Sequence, residues 1–202
     1  QIQASSDVPV QYQIAEQVER YGMQLGFTPD RLIVDETGTQ RVADVIEMQW
    51  GPGVRRFVGS TRPSDLAVSA RDPTPASKRY RNHITEAWFW VSEFGRHDQV
   101  RGLNDPASRQ FTMREVVPGP VVQLEPKDKF SSRLHFSPDE ADTVAMACQY
   151  AREFLGLVPG ASNVDSSVGF NTMQPGSGAI TEEDLRRFDI DSRDSNYLVP
   201  DL

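Results

Sequence analysis

The chain has one cysteine in 202 residues, Cys148, which excludes an internal disulfide and any cysteine-based zinc site. Cys148 falls on the apolar face of a helical pattern, so its thiol is expected to be buried and inert, as in a reducing cytoplasmic setting. Histidines are few, and His83, His97 and His135 lack metal-ligand spacing; each reads as a surface or hydrogen-bonded side chain. No apolar run approaches the ~18–20 residues that cross a bilayer, so no membrane partner is expected. Gln1-Ile2-Gln3-Ala4 has neither an initiator Met nor the order of a secretory signal, and reads as the start of a processed, trimmed or excised piece. A Gly-rich phosphate loop, a Gly-x-Ser-x-Gly turn and a His-Glu-x-x-His pair are also lacking, which argues against ATP hydrolysis by this chain alone.

What charge there is has one dominant sign. The net value of −8 argues against a general nucleic-acid coat. Its distribution is uneven. Arg55, Arg56, Arg62, Arg71, Lys78, Arg79 and Arg81 stand against only Asp65 and Asp72 between positions 55 and 81. Residues 156–202 carry eight acids against three arginines. The middle is suited to face phosphates and the tail to repel them, although a charge run also serves simply as a solvated surface.

The length suits one domain with a full core. Residues 1–4 read as the end of a strand. Val10, Ile14, Val18 and Leu25 form one stripe of an amphipathic helix over 8–25, closed by Gly26. Leu32-Ile33-Val34 is a continuous apolar run ending at Asp35, the pattern of a buried central strand. Val42, Val45 and Ile46 mark a second helix, and Val54 to Val58 the next strand, so a parallel strand–helix–strand unit is expected. Residues 59–77 form a long loop. Helices are expected over 79–94 and 105–116, a strand over Val121–Leu124 and a short helical turn over Lys127–Leu134. Trp88, Phe89 and Trp90 read as core and flank packing. Beyond Gly156 the composition predicts a largely disordered acidic tail, in which Thr181–Phe188 has the pattern of one or two helical turns.

Ser137-Pro138-Asp139-Glu140-Ala141-Asp142 predicts a helix start, with Ser137 and Glu140 as a capping box and Pro138 at the first helical position. Asp139 and Asp142 lie three apart in that first turn, on one side. They suit the helix dipole. They also suit a divalent metal, if the helix packs beside a sheet. Asp35, at the carboxyl end of its strand, stands where α/β sheets place their sites, with Glu36 as a second oxygen donor. Such carboxylates suit Mg²⁺ or Mn²⁺, and two ions about 3.5–4 Å apart hydrolyse phosphodiesters. The alternative for Asp35 is an N-cap serving residues 37–48.

Four segments together resemble a known family. Leu32-Ile33-Val34-Asp35-Glu36-Thr37-Gly38 resembles the second acidic motif of the nuclease domain of the tailed-phage large terminase subunit. Lys78-Arg79-Tyr80-Arg81-Asn82 with Glu86 and Trp88 resembles its Tyr-x-Asn…Glu-x-Trp helix. Gln123-Leu124-Glu125-Pro126-Lys127-Asp128 is similar to its Leu-Glu-x-Lys-Asp strand end, and Ser137 to Asp142 to its last acidic motif. The likeness covers about residues 1–155.

The resemblance implies an RNase H-like α/β fold, a mixed sheet flanked by helices. It implies a metal-dependent endonuclease that cuts concatemeric double-stranded viral DNA with two Mg²⁺ or Mn²⁺ ions. Asp35 and Asp142 become metal-binding catalytic carboxylates, Asp139 an added ligand or an acid that supports the ligands from behind, and Lys127 a phosphate contact; from the basic middle segment, Arg79 and Arg81 join Lys127 as DNA-binding residues. Implied partners are the terminase ATPase domain, the small terminase subunit and the portal protein, in the host cytoplasm. The family's first catalytic aspartate has no counterpart, so residues 1–155 are expected to be an N-terminally incomplete domain, followed by the acidic tail 156–202. The competing classes are a non-catalytic RNase H-like module that docks to DNA or the portal, and another RNase H-like enzyme such as a resolvase or transposase.

Overall fold

Leu32, Ile33 and Val34 alternate between two cores, and the rest of the architecture is arranged around that alternation. β1 (Ile33–Asp35) runs parallel to β2 (Arg55–Phe57), with Val34 opposite Arg56. Ile33 and Phe57 face a large core with Ala87, Trp90, Val91 and Phe94 from α4 (His83–Arg96) and Ala141, Ala145 and Cys148 from α7 (Asp139–Glu153). Leu32, Val34 and Val54 face a smaller core with Ala15 of α1 (Val10–Leu25) and Ala43, Val45 and Ile46 of α2 (Val42–Gln49). A strand, β1, whose residues face apolar cores on both sides is thus covered by helices on both, as parallel pairing requires. The structure, a computed structural model, describes residues 7–37 and 41–161. The expected strand at 1–4 and the expected helical turns at 181–188 lie outside those residues.

The mixed α/β class and the parallel strand–helix–strand unit are as the sequence predicts. The described sheets are small: β1 with β2, and β3 (Val116–Val117) antiparallel to β4 (Gln123–Leu124). Two helix boundaries differ from expectation. The helix predicted over 79–94 is two, α3 (Ala76–Arg79) and α4, because Tyr80 is extended and bridges Val122 in parallel. Asn82 then caps α4, its carboxamide oxygen accepting from the Thr85 N–H at 3.2 Å. The helix predicted over 105–116 stops as α5 (Asp105–Met113), because Arg114 turns inward and Val116-Val117 pair with β4.

The capping box at 137–140 does not form. The Ser137 hydroxyl donates to Asp139 instead, at 2.7 Å, and the Glu140 carboxylate is taken by the Gln110 side chain. Pro138 is the cap itself, its carbonyl accepting the Asp142 N–H at 2.9 Å. α6 (Lys127–Leu134) lies where the sequence places it.

The long loop after β2 is tied down by buried charge. Glu86, fully buried, accepts from both the N–H and the hydroxyl of Ser64, and burial pushes its carboxyl up. Arg152 donates to the Ala67 carbonyl at 2.9 Å. His83 stacks on Phe57 and meets Glu153 at 3.3 Å. Past α7 the chain turns back onto the domain, where the Pro159 carbonyl accepts from Ala70 and the Gly160 N–H donates to Gln99, each at 2.9 Å. Cys148 is buried, and burial pushes its thiol up to about 12.

Gly22 lets α1 and α2 approach. A Cβ there would lie 1.9 Å from the Trp50 ring, whereas at Gly95 it would meet nothing within 4 Å. Gly22→Ala is expected to destabilise the fold by about 1–3 kcal/mol in denaturant titration, with Gly95→Ala neutral or better. His83 gives a pH signature. Burial works against its charged form, but Glu153 overrides that and raises it above 6.5; burial likewise opposes the Glu153 carboxylate, and His83 and Gln149 overrule it, below 4.5. The imidazolium's contribution is complete below its unfolded value and is lost as pH rises through the folded one. The stability gap between the parent and His83→Gln should therefore be wider at about pH 5.5 than at about pH 8.5; an equal gap contradicts the pairing.

Candidate active site

At the carboxyl end of β1 the chain leaves a cleft of about 690 Å³, with Asp35, Glu36, Asn82, Arg114, Glu125, Lys127 and Asp142 among its lining residues. They come from far-separated segments, held together by side-chain bonds between elements. Thr85 is the clasp: its hydroxyl donates to the Asn82 cap at 2.6 Å and accepts the Leu124 N–H at 3.2 Å. Arg81 and Val122 extend that strap, the Arg81 N–H donating to the Val122 carbonyl at 2.9 Å. This aims the Glu125-Pro126-Lys127 corner at the first turn of α7.

Asp35 is exposed at the strand end. The Thr37 N–H donates to its Oδ1 at 2.8 Å, and the Thr37 hydroxyl donates to the same oxygen. The alternative reading of Asp35 as a cap for α2 does not hold, since that helix begins at Val42 after Arg41 in the left-handed region. Glu36 is neutralised by Arg56, which also pairs with Asp44 at 2.7 Å and Glu47 at 2.5 Å.

Asp142 is the opposite in character. It is only 9% exposed, and three donors from three elements reach it. The Trp88 indole N–H donates to Oδ1 at 2.9 Å, and Arg114 donates to the same oxygen at 3.1 Å. Lys127 donates to Oδ2 at 3.0 Å and to Asp139 at 2.8 Å. Burial opposes the Lys127 ammonium, but these two carboxylates outweigh it and hold Lys127 above its ordinary value. Burial also opposes ionised Asp139, yet Lys127 and Ser137 keep it below the usual range. Asp139 itself is 70% exposed at its side chain and does not line the cleft; it anchors Lys127. Glu125 accepts from Arg133 at 3.0 and 2.6 Å, and that guanidinium holds its carboxyl below the usual range.

Among the described residues no three His, Cys, Asp or Glu side chains converge as a metal cage, so the expected Asp35–Asp139–Asp142 triad does not assemble. Asp35 and Asp142 do share one cleft. Two hard oxygen donors suit Mg²⁺ or Mn²⁺, which keep several waters and need only one or two carboxylates with a substrate phosphate. The donor chemistry therefore fits one hydrated divalent ion.

Three of the seven basic residues of this segment are paired from within. Arg56 serves three acids, Arg62 pairs with Asp65 at 3.1 Å, Arg79 pairs with Asp72 at 2.9 Å, and Arg55 lies over Phe154. Arg71, Lys78 and Arg81 are exposed and make no ion pair among the described residues. Arg79 is thus already paired, whereas Arg81 is available. Sequence reasoning missed Arg114, Glu125 and the polar role of Trp88. An arginine after a helix ordinarily reads as a dipole complement in solvent, so nothing local to Arg114 announces its burial.

No family model matches the sequence, and no curated protein matches it. Solved structures are similar in backbone. The nuclease domain of the large terminase subunit gp2 of bacterial virus Sf6 is 14% identical, with a TM-score of 0.53 over 68% of this chain and 71% of that one. A lysine-to-alanine mutant of that domain solved with manganese gives 14% and 0.51 over 68% and 72%. The same mutant with manganese and beta-thujaplicinol gives 13% and 0.53 over 68% and 71%. At such identities the likeness is one of fold, and it is the fold to which the four sequence segments also point.

Proposed function

We propose that this chain, which has the fold of a terminase nuclease domain, is itself an RNase H-like, divalent-metal-dependent endonuclease of viral genome packaging that cuts concatemeric double-stranded DNA. The observation that carries the reading is that Asp35 and Asp142, more than a hundred positions apart, line one cleft at the carboxyl end of a parallel strand. That is the edge where open α/β sheets place their chemistry. The similar structures' manganese adds support for an oxygen-ligated ion.

Asp35 and Asp142 would hold Mg²⁺ or Mn²⁺, which supplies an activated water and charge stabilisation at the scissile phosphate. A two-ion centre would need a further ligand beyond this pair. Thr37 donates twice to Oδ1 of Asp35, so Oδ2 would be the oxygen left for an ion. Lys127, lining the cleft with a half-exposed ammonium, is placed to contact a phosphate. Arg81, with Lys78 and Arg71 rather than Arg79, would contact the DNA backbone without regard to sequence. In this reading the nuclease unit runs through Ala161, past the expected boundary at 155, because Pro159 and Gly160 are bonded into it, and the acidic arm follows. The ATPase domain, small subunit and portal are its partners, in the cytoplasm of the host. No described helix is long and apolar enough to cross a membrane.

The second reading, a non-catalytic docking module, is favoured by one observation: both Asp142 oxygens already carry protein donors. Mn²⁺ calorimetry with plasmid nicking separates the two. Under the nuclease reading the parent chain binds Mn²⁺, and a chain that also carries the family's first aspartate nicks. Asp35→Asn abolishes nicking at an unchanged melting temperature, since Asp35 is exposed and, among the described residues, bonded only to Thr37. Asp142→Asn abolishes nicking and lowers the melting temperature, because it leaves buried Arg114 without its counter-charge. A folded chain that binds no Mn²⁺ and does not nick rejects it. For DNA affinity, Lys78→Ala with Arg81→Ala should flatten the plot of log K against log salt by about 1–2 units, and Arg79→Ala by less. Equal slopes for all three proteins would remove these residues from the DNA surface.

A further inference from the structure

Asp142 has two unlike ends. Its Oδ1 takes the Trp88 indole N–H at 2.9 Å and Arg114 Nη1 at 3.1 Å. Its Oδ2 takes only Lys127 Nζ, at 3.0 Å. The Arg114 side chain is 4% exposed and that of Lys127 is 46% exposed. Arg114 is also immobilised: its guanidinium lies 4.6 Å over the Trp88 ring, and its Nε donates to the Glu125 carbonyl at 2.9 Å. Trp88 is itself packed edge-on against Phe111.

A short carboxylate side chain has two torsions. Two donors converging on one oxygen from different elements fix both. Releasing Oδ1 would break a buried charge-assisted hydrogen bond and unstack a guanidinium from an indole. Releasing Oδ2 only swings a flexible, half-solvated lysine aside.

We infer that Arg114, together with Trp88, is a positioning residue that locks Asp142 through Oδ1 and makes it present Oδ2 alone to the cleft. The inference rests on the nuclease reading and deepens it. Arg114 touches neither substrate nor ion; it acts through the carboxylate. Its bond to the Glu125 carbonyl couples that orientation to the corner carrying Lys127, so the carboxylate and the lysine are set by one buried cation. A carboxylate held this way offers a single oxygen in a fixed direction. A carboxylate free to rotate would offer either oxygen or both, with its own ordering entropy to overcome on every binding event.

The test compares Trp88→Phe, Arg114→Lys and Arg114→Met in the full chain. Trp88→Phe keeps the aromatic packing and deletes the N–H. Arg114→Lys keeps the charge and loses the fork that reaches Glu125 and Asp142 together. Mn²⁺ affinity by calorimetry should weaken about 10–100-fold in Arg114→Met and by less in Trp88→Phe and Arg114→Lys, measured on protein confirmed as folded by its melting curve. In nicking assays kcat should fall while KM for DNA stays near the parent value. Arg114→Lys should recover part of what Arg114→Met loses. If folded Trp88→Phe and Arg114→Lys bind Mn²⁺ and turn over like the parent, Arg114 is only a structural cation and the inference is overturned. If the parent itself, folded, binds no Mn²⁺, the functional reading has failed and the inference fails with it.

Discussion

The burial of one carboxylate organises this molecule. Asp142 is held by the indole of Trp88 from α4, the guanidinium of Arg114 from the end of α5, and the ammonium of Lys127 from the start of α6. An ionised carboxylate withdrawn from water is stable only with such partners, and each partner obliges its own element to approach α7. The contacts explain features that are otherwise unrelated. α5 stops where Arg114 must turn inward, and Tyr80–Asn82 leave the helix to strap the strand that delivers Glu125 and Lys127. Asp35 approaches the same cleft differently, exposed on a strand whose alternating side chains bind it to two cores at once.

Charge elsewhere follows a consistent logic. The basic stretch between Arg55 and Arg81 looks like a phosphate-binding face in one dimension. In three, part of it is neutralised locally: Arg56 gathers Glu36, Asp44 and Glu47, Arg62 takes Asp65, and Arg79 takes Asp72. What is left for a polyanion is a short exposed set, Arg71, Lys78 and Arg81. Buried Glu86 and Arg152 hold the intervening loop against α4 and α7, so that set is carried on an anchored segment.

Local pattern made much of this legible. The continuous apolar run Leu32–Val34, the helical stripe of α1, the start of α6 and the aromatic content of α4 are all visible in the sequence, and the structure has them. The four-segment resemblance pointed to the fold that the solved nuclease domains share. What failed depended on competition between partners. Ser137 and Glu140 have the spacing of a capping box, yet Asp139 and Gln110 offer each a nearer partner. Asp139 and Asp142 lie on one side of a helix as the spacing requires and share the Lys127 ammonium, but only Asp142 lines the cleft, while Asp139 stays 70% exposed outside it. Arg114 was invisible because its meaning is wholly tertiary: it matters through a residue 28 positions away.

A crystal structure grown with Mn²⁺, with the ion located by its anomalous scattering, shows whether Asp35 and Asp142 hold one metal. The account predicts an ion between Asp35 and Asp142 at about 2.1 Å from carboxylate oxygens, with Lys127 swung away from Oδ2 and with Trp88 and Arg114 still on Oδ1. An ion bound elsewhere, or Lys127 still seated on Asp142 at saturating Mn²⁺, would contradict it.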